Sequence, residues 1–290
     1  MATKQKARVD PPGVLADRLR VGPGFRLVDV EPRSTPGFDG GNADGQAALA
    51  RGGKRLSEFQ ERLFAEGRSG GHRSVLLIVQ GMDTSGKGGI VRHVVGAVDP
   101  QGVRHQAFGA PTEEELQHDF LWRVRRALPR AGQIGVFDRS HYEDVVVVRV
   151  NELVPRSTWQ ERYAQINGFE QSLADDGTTL IKVLLQISPA EQRERLASRL
   201  ARPEKHWKYD PSDVEARLRW DDYQEAYQAV LDRCSTPDAP WYVVPADRKW
   251  YVRWAVQQLL LDVLEGLDPQ WPKASFDVAV EKARLAATPG

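Results

Sequence analysis

Residues 75–89 have the sequence VLLIVQGMDTSGKGG, in which an unbroken apolar run leads into a glycine-rich turn. A short aliphatic run without polar alternation is typical of a strand that is buried on both faces of a parallel sheet. Apolar residues then recur at helical spacing over residues 90–98. The predicted order of strand, glycine-rich turn and helix is the setting in which a phosphate-binding loop is found.

The turn itself has the residue types that bind phosphate. Gly81, Gly86 and Gly88 allow backbone N–H groups to converge on phosphate oxygens, and the following helix adds partial positive charge at its N-terminus. Lys87 is a mobile cation that can reach a terminal phosphate. The alternative is a glycine-rich turn with an incidental lysine, but the agreement of strand, spacing and helix favours the phosphate loop.

One position departs from the usual form of this loop. Gly88 stands where Ser or Thr normally holds Mg²⁺, so another residue must bind the metal. Asp83, which lies within the loop, is the candidate for that role.

A second polar group follows the next predicted buried strand, residues 134–137. Asp138 and Arg139 come directly after that strand, and catalytic groups collect at the carboxyl ends of parallel strands. A carboxylate there can hold Mg²⁺ directly or through water, which is the Walker B role, and the arginine can then reach phosphate. The alternative is an N-capping aspartate beside a surface arginine.

Strands and helices alternate along the rest of the chain. Further buried strands are predicted at residues 180–187 and 241–244, and residues 145–148 fit either a strand or a helix. Helical spacing is found at residues 46–66 and 250–264. This alternation predicts an α/β protein with a parallel sheet that is covered by helices on both faces.

Capping boxes mark the starts of three more predicted helices. The pairs are Thr112 with Glu115, Thr158 with Glu161, and Ser188 with Glu191. The first of these helices is predicted to continue to Pro129, with Leu116, Phe120 and Val124 on its inner face.

Proline and glycine are frequent at residues 1–45, which are predicted to form a partly irregular N-terminal arm. The phosphotransferase domain is predicted at residues 46–268, and residues 269–290 form a C-terminal tail.

The composition excludes several kinds of site. The 290-residue chain has 40 Lys plus Arg and 40 Asp plus Glu, so its net charge does not indicate a polyanionic partner. A single cysteine, Cys234, excludes an internal disulfide and argues against a cysteine metal cluster. We recognise no secretory signal and no run long enough to cross a bilayer, so we expect a cytoplasmic protein without a membrane partner.

Basic residues are concentrated at residues 193–208, which we place after the helix that begins at residue 189. The segment contains Arg193, Arg195, Arg199, Arg202, Lys205 and Lys208. Several cations on a closing lid suit phosphoryl transfer, because charge spread over phosphate oxygens needs stabilisation away from water. We therefore predict a lid at about residues 193–212, with Arg202 among the phosphate-binding residues. The alternative is a solvated charged face.

A smaller basic group is spread around one predicted helix, so at most one or two of its members are expected to face a ligand. It consists of Arg123, Arg125, Arg126 and Arg130.

Several segments, in this order, resemble family 2 polyphosphate kinases. They are GMDTSGK at 81–87, DPQG at 99–102, HDFLWR at 118–123, FDRSHYED at 137–144, residues 199–208, and PWYVVPAD at 240–247. The similarity spans roughly residues 36–264, and motifs of this length in this order argue against coincidence.

The resemblance implies a P-loop kinase fold with a helical lid, dependence on Mg²⁺, and a homodimer or homotetramer. The implied reaction is phosphoryl transfer between inorganic polyphosphate and an adenine or guanine nucleoside mono- or diphosphate. No nucleic-acid partner is expected, because the basic residues lie beside a phosphate loop and not on a general basic face.

The resemblance also implies roles for individual residues. Asp83 and Asp138 are similar in position to the metal and phosphate-organising carboxylates of the family, and Lys87 and Arg139 to its phosphate-binding cations. Arg199 resembles the lid arginine. Lys205 and Lys208 would be further polyphosphate contacts.

Two alternatives remain at this point. Asp138-Arg139-Ser140 also resembles thymidylate kinases, which suggests an ATP-dependent nucleoside monophosphate kinase, and a non-catalytic nucleotide- or polyphosphate-binding module is the other. Within the polyphosphate kinases, residues 118–123 and Tyr142-Glu143 are most similar to the subgroup that accepts both AMP and ADP. Asp138 is closer to the subgroups with a single acceptor.

Overall fold

A central sheet of five parallel strands organises the structure, a computed structural model that describes residues 8–11 and 13–289. Two short antiparallel strands, β1 (Arg8–Val9) and β2 (Phe38–Asp39), come first in the chain. The sheet follows, with β3 (Ser74–Gln80), β4 (Val103–Ala107), β5 (Ile134–Asp138), β6 (Thr178–Gln186) and β7 (Trp241–Pro245).

The order of the strands creates a crevice beside β3. Across the sheet the order is β4-β5-β3-β6-β7, so the chain leaves β3 towards one edge and leaves β5 towards the other. Connections that diverge in this way open a ligand crevice beyond the carboxyl ends of the two strands. Val79 is in register with Asp138, and the Arg139 amide donates to the Val79 carbonyl oxygen at 3.0 Å. The two predicted phosphate-binding segments therefore begin side by side.

Helices surround this sheet. They are α1 (Val14–Leu19), α2 (Asn42–Arg68), α3 (Lys87–His93), α4 (Trp122–Ala127), α5 (Val147–Val150), α6 (Arg156–Asp175), α7 (Pro189–Leu200), α8 (Ser212–Leu218), α9 (Trp220–Cys234), α10 (Lys249–Leu267) and α11 (Val278–Ala286). Short 3₁₀ segments include Glu115–Gln117, His141–Asp144 and Pro203–Lys208.

Two groups of helices cover the sheet. In one group α1, α2 and α3 contact α10, and in the other α5 and α6 contact α9; both groups reach β6. All seven residues of β3 are buried, as are Trp241 and Trp254, which explains the unbroken apolar run in the sequence. The predicted parallel sheet with helices on both faces is confirmed.

The helix predicted from Thr112 to Pro129 is wrong as a continuous element. The capping box forms, since the Thr112 amide donates to Glu115 Oε2 at 3.0 Å and the Glu115 amide to Thr112 Oγ1 at 3.2 Å. It caps only a 3₁₀ turn, and Leu116 is 68% exposed. The Asp119 carboxylate then accepts from the Leu121 amide, and this local bond starts a separate helix, α4.

Three other predictions are refined by the structure. Residues 145–148 were ambiguous, and Val147 and Val148 begin the one-turn helix α5. The helix expected from Thr158 begins at Arg156 instead, and its N-cap, Pro155, makes no side-chain capping bond. The apolar residues at helical spacing over 90–98 do not form one helix, because α3 ends at His93 and a 3₁₀ turn follows.

The N-terminal segment before residue 46 packs on the rest of the chain where it is described. Leu15, Leu19 and Phe38 are buried, and the Tyr251 hydroxyl donates to the Pro36 carbonyl oxygen at 2.7 Å. Residues 1–7 and 12 of the predicted arm lie outside the described residues, and the boundaries at 45 and 268 stay predictions. Among the helices of the described residues, none combines the length and apolarity that a bilayer span requires.

Candidate active site

A cavity of about 830 Å³ lies over the carboxyl ends of β3 and β5. Its floor is the loop between β3 and α3, and its roof comes from α7, the 3₁₀ turn Pro203–Lys208 and the start of α8. Asp83, Lys87, Gly86, Gly88, Asp138 and Arg139 line the floor, and Arg199, Arg202, Lys205 and Lys208 line the roof. The structure therefore brings the residues predicted for the site together around one space; Gly81 lines an adjoining cavity.

The loop has the backbone conformation that its glycines allow. Gly81 and Gly86 have φ values of 145° and 127°, which L-residues with a Cβ rarely adopt. A Cβ at Gly81 would also lie 2.8 Å from the Leu185 carbonyl oxygen. Lys87 Nζ donates to the carbonyl oxygens of Gly81, at 2.8 Å, and Met82, at 3.3 Å, so its ammonium group lies across the loop.

Asp83 is held among positive charges. Its Oδ1 accepts from Arg139 Nη2 at 2.7 Å and lies 3.8 Å from Lys87 Nζ. Burial works against ionisation of this carboxyl group, but the charges of Lys87 and Arg139 outweigh it and keep the pKa of Asp83 below its usual range. Asp83 is therefore a carboxylate at neutral pH.

Arg139 links the two strands at the site. Its φ of 64° is unusual for a residue with a side chain, and such strain is common at functional sites. Burial alone would lower the pKa of the guanidinium, yet the charges of Asp83 and Glu143 raise it overall. The strained backbone and the ion pair hold this cation over the loop.

The basic segment is distributed differently from the prediction. Arg193, Arg195 and Arg199 lie within α7, not after it, because the helix continues to Leu200. Arg199 Nη1 donates to the Lys208 carbonyl oxygen at 2.8 Å and to Asp213 Oδ2 at 3.2 Å, which joins α7 to α8.

Arg195 has a role that its sequence position did not reveal. It is buried, and its guanidinium donates to the carbonyl oxygens of Thr84, Ser85, Ala246 and Asp247 at 2.8–3.0 Å. Glu191 accepts from its Nε at 2.7 Å. Arg195 thus fixes the backbone of the phosphate loop against the carboxyl end of β7, and it is not a cation of the lid surface.

Asp213 is a further carboxylate at the cavity, and no sequence motif singled it out. Burial, followed by the negative charge of Asp83, raises its pKa to about 6, although Arg199 opposes the shift. Asp213 and Asp83 therefore face each other between lid and loop.

A divalent cation fits this donor set. Among the described residues no group of three or more His, Cys, Asp or Glu has metal-binding geometry. Mg²⁺ does not require one, because it commonly binds one or two carboxylates and completes its shell with water and substrate phosphates. Asp83 and Asp138 both line the cavity floor, and their carboxylate oxygens are the ligands that would hold such a cation there.

The smaller basic group contributes one buried member. Arg123 is 9% exposed and donates to the Gly109 carbonyl oxygen at 2.9 Å, with Glu115 and Asp144 also within ion-pair distance. Arg125 and Arg126 are exposed. Arg123 therefore holds the segment that follows β4. The expectation that at most one or two of the four arginines face a ligand stays a prediction.

The chain matches the family model described as "Polyphosphate kinase 2 (PPK2)" over residues 41–272. It is 48% identical over 260 residues to the "AMP/ADP-polyphosphate phosphotransferase" of Meiothermus ruber, covering 89% of this chain and 96% of that protein. It is 33% identical to the "GDP-polyphosphate phosphotransferase" of Mycobacterium tuberculosis, covering 86% of this chain and 88% of that protein.

A solved structure, the polyphosphate kinase 2 of Arthrobacter aurescens, superposes with a TM-score of 0.94 at 55% identity. The match covers 97% of this chain and 99% of that one. The predicted P-loop kinase fold with a helical lid is confirmed by this similarity.

Proposed function

The chain belongs to the polyphosphate kinase 2 family, and from this membership we propose that it transfers phosphoryl groups between inorganic polyphosphate and nucleoside mono- or diphosphates. The observation that carries the proposal is the ion pair between Asp83 of the phosphate loop and Arg139, beside Asp138 and beneath a lid of cations. This arrangement offers two carboxylates for a metal and several cations for phosphate oxygens, within one cavity.

The reaction requires positioning and charge neutralisation rather than a covalent intermediate. An oxygen of the nucleotide's terminal phosphate attacks the terminal phosphorus of polyphosphate, and the bond to the bridging oxygen breaks as the new phosphoanhydride bond forms. Lys87, Arg139 and Arg199 neutralise charge on the transferred group, which stabilises the transition state most where water is excluded. Arg202, Lys205 and Lys208 hold the rest of the polyphosphate chain.

Asp83 and Asp138 are the residues that would hold Mg²⁺. A bound Mg²⁺ would neutralise phosphate charge and orient the reacting oxygens. Gly88 has no hydroxyl group to offer, so the two carboxylates take the place of the Ser or Thr of the usual loop.

The acceptor is an adenine or guanine nucleotide. Relatives named for AMP/ADP and for GDP are both similar to this chain over most of its length, and the first is the more identical at 48%. We therefore propose AMP and ADP as the preferred acceptors. We further propose a cytoplasmic homodimer or homotetramer.

The test is nucleotide product analysis with long-chain polyphosphate, Mg²⁺ and each of AMP, ADP, GMP and GDP, in the absence of ATP. New nucleoside di- or triphosphate that is lost in Lys87→Ala supports the proposal and identifies the acceptor. Turnover with ATP as donor and none with polyphosphate would instead indicate an ATP-dependent nucleoside monophosphate kinase. Binding of both substrates without turnover under any condition would indicate a non-catalytic binding module.

A further inference from the structure

The helix α7 binds the backbone of the phosphate loop at three consecutive carbonyl groups. Arg195 donates to the carbonyl oxygens of Thr84 and Ser85, and Gln192 Nε2 donates to the Asp83 carbonyl oxygen at 3.2 Å. Gln192 and Arg195 are three residues apart, so they lie on the same face of α7. The Gln192 side chain is fully buried. Gln192 therefore acts on the loop and cannot touch a ligand in the cavity.

The bond from Gln192 reaches a strained part of the loop. Thr84 has a φ of 66°, which is a rare value for a β-branched residue. Such a conformation persists only where the surrounding structure holds it. Because the peptide between Asp83 and Thr84 is planar, the direction of the Asp83 carbonyl group and the φ of Thr84 change together. By binding that carbonyl group, Gln192 opposes the peptide flip that would return Thr84 to a negative φ.

Asp83 is held at both its backbone and its side chain. Its carbonyl oxygen accepts from Gln192, and its Oδ1 accepts from Arg139 Nη2 at 2.7 Å. The carboxylate is fixed only as firmly as the backbone that carries it. A shift of about 1 Å in a reacting or charge-stabilising group can cost about 100-fold in rate. The orientation of the peptide after Asp83 therefore matters for the reaction.

Gln192 is in turn held from the lid. Arg217 Nη1 of α8 donates to Gln192 Oε1 at 3.1 Å and to the Pro189 carbonyl oxygen at 2.6 Å. Both polar atoms of the Gln192 amide are thus bonded, one towards the loop and the other towards α8. A continuous path of hydrogen bonds leads from α8, through Gln192, to the backbone of Asp83.

We propose that Gln192, held by Arg217, is a positioning residue for phosphoryl transfer. It keeps the peptide between Asp83 and Thr84 in the strained orientation that sets the Asp83 carboxylate against Arg139. This proposal rests on the proposed function and adds to it a residue that acts through the loop and does not touch the substrate.

The kinetic test is Gln192→Met, which keeps an unbranched side chain of similar length and removes both bonds of the amide. We expect kcat to fall about tenfold with the KM for the nucleotide unchanged, because alignment in the transition state is lost. The control is Gln171→Met on the exposed face of α6, which should leave kcat unchanged. An unchanged kcat in Gln192→Met, or an equal fall in the control, overturns the proposal.

A second background separates positioning from a general loss of packing. Glycine adopts a positive φ without strain, so in a Thr84→Gly protein the loop no longer needs Gln192 to hold that conformation. Adding Gln192→Met to Thr84→Gly should therefore lower kcat much less than it does in the wild type. A fall of the same size in both backgrounds would mean that Gln192 only fills space, and it overturns the proposal.

Arg217→Met tests the same path from its other end and avoids a substitution in the core. Arg217 is only partly buried, and its loss leaves the Gln192 amide in place without its donor. We expect kcat to fall about threefold, and less in the Thr84→Gly background, because Gln192 is held less firmly. An unchanged kcat in Arg217→Met overturns the part of the lid in positioning the loop.

A crystal structure of Gln192→Met separates failure of this inference from failure of the proposed function. Thr84 should return to a negative φ, and Asp83 Oδ1 should lie farther from Arg139 Nη2 than 2.7 Å. Retention of the positive φ and of the ion pair overturns the role of Gln192, whatever the activity. Inactivity of the wild type with every donor and acceptor would overturn the proposed function, and the crystal structure would still decide the role of Gln192.

Discussion

Asp83 combines two tasks at the scale of the single residue, since it holds Arg139 in place and would bind the metal. Loss of its charge removes both. We expect Asp83→Asn to reduce kcat at least 100-fold, in the range seen when one transition-state stabilising group is removed. Steady-state kinetics of nucleotide phosphorylation measures the effect, with circular dichroism as the check on folding.

Asp29→Asn is the matched control for Asp83→Asn. Asp29 is exposed and lies 3.9 Å from Arg26, far along the chain from the loop, so its loss should leave kcat unchanged. Wild-type turnover in a folded Asp83→Asn protein would show that the carboxylate has no part in the reaction.

Cys234 provides a second prediction for a single side chain. It is fully buried at the end of α9, and burial raises the pKa of its thiol to about 12. Because the thiolate is the reactive form, the native protein should resist alkylation at about pH 8. Reaction with iodoacetamide should appear only when a denaturant unfolds the chain, and rapid labelling of native protein would contradict the burial.

At the scale of elements, the packing of α2 against α10 depends on glycine. A Cβ at Gly45 would overlap the Trp250 ring, whereas a Cβ at Gly53 would lie 3.6 Å from the Ala97 Cβ in ordinary contact. Gly45→Ala is therefore expected to lower the free energy of unfolding by about 1–3 kcal/mol. Gly53→Ala, in the middle of the same helix, should raise it by about 0.5–1 kcal/mol.

The pair of glycine variants is read out by urea unfolding. The two substitutions add the same methyl group to the same helix, so a shift of opposite sign isolates the close approach to α10. A similar gain in stability in both variants would mean that helix propensity, and not the close approach to Trp250, decides the outcome.

The clamp from α7 to the phosphate loop is a second property of an element. Arg195→Lys keeps the charge but replaces a planar group with five donors by a compact ammonium. We expect the free energy of unfolding to fall by about 1.5–3 kcal/mol, because bonds to buried carbonyl groups are lost. Amides of residues 83–87 should exchange faster with solvent, as measured by hydrogen exchange.

Arg193→Lys is the control for the clamp. Arg193 is exposed on the same helix, and the substitution should change neither stability nor exchange at the loop. Unaltered loop exchange in Arg195→Lys would mean that the loop is held by other contacts.

At the scale of the whole molecule, a buried polar network joins four segments of the chain. Lys182 Nζ of β6 donates to the Tyr142 hydroxyl at 2.9 Å, to Glu170 Oε2 at 2.5 Å and to the Cys234 carbonyl oxygen at 2.6 Å. His141 Nε2 lies 3.2 Å from Glu170 Oε1. The network therefore connects the segment after β5 with α6, β6 and the end of α9.

Breaking one side of this network should be costly. Lys182→Met leaves the Glu170 carboxylate buried without its main partner, so we expect a loss of about 3–5 kcal/mol in the free energy of unfolding. The double variant Lys182→Met/Glu170→Gln should recover part of the lost free energy of unfolding, because no unpaired charge remains. Chemical denaturation of both variants is the measurement, and equal losses in the two would contradict the ion-pair explanation.

The same network predicts a dependence of stability on pH. Burial alone would raise the pKa of Glu170, but Lys182 and His141 hold it below its unfolded value of 4.5. A depressed folded-state pKa stabilises the protein above the unfolded value, and this contribution is lost as the pH falls through the folded value. Stability should therefore decline on the acid side of about pH 4.5, and less steeply in the double variant.

Local patterns in the chain were sufficient for the central part of the fold and for much of the candidate site. The aliphatic runs of β3, β5 and β6 are buried on both faces. A strand of this kind appears in the sequence as a continuous apolar run, so it can be recognised without the structure. The phosphate loop is likewise a local feature, because its glycines and lysine lie within eight consecutive residues. The edge strand β4 was missed, since its sequence VRHQA is mostly polar and partly exposed.

Contacts between distant segments could be decided only by the tertiary structure. The ion pair of Asp83 with Arg139 spans 56 residues, the bonds from Arg195 to the loop span about 110, and Asp213 meets Asp83 through the fold of the lid. Local motifs can also mislead. The capping box of Thr112 with Glu115 forms as predicted, but it starts only a 3₁₀ turn and not the predicted helix. Sequence spacing specifies which bonds neighbours can make, whereas burial and charge pairing depend on which surfaces the packed elements bring together.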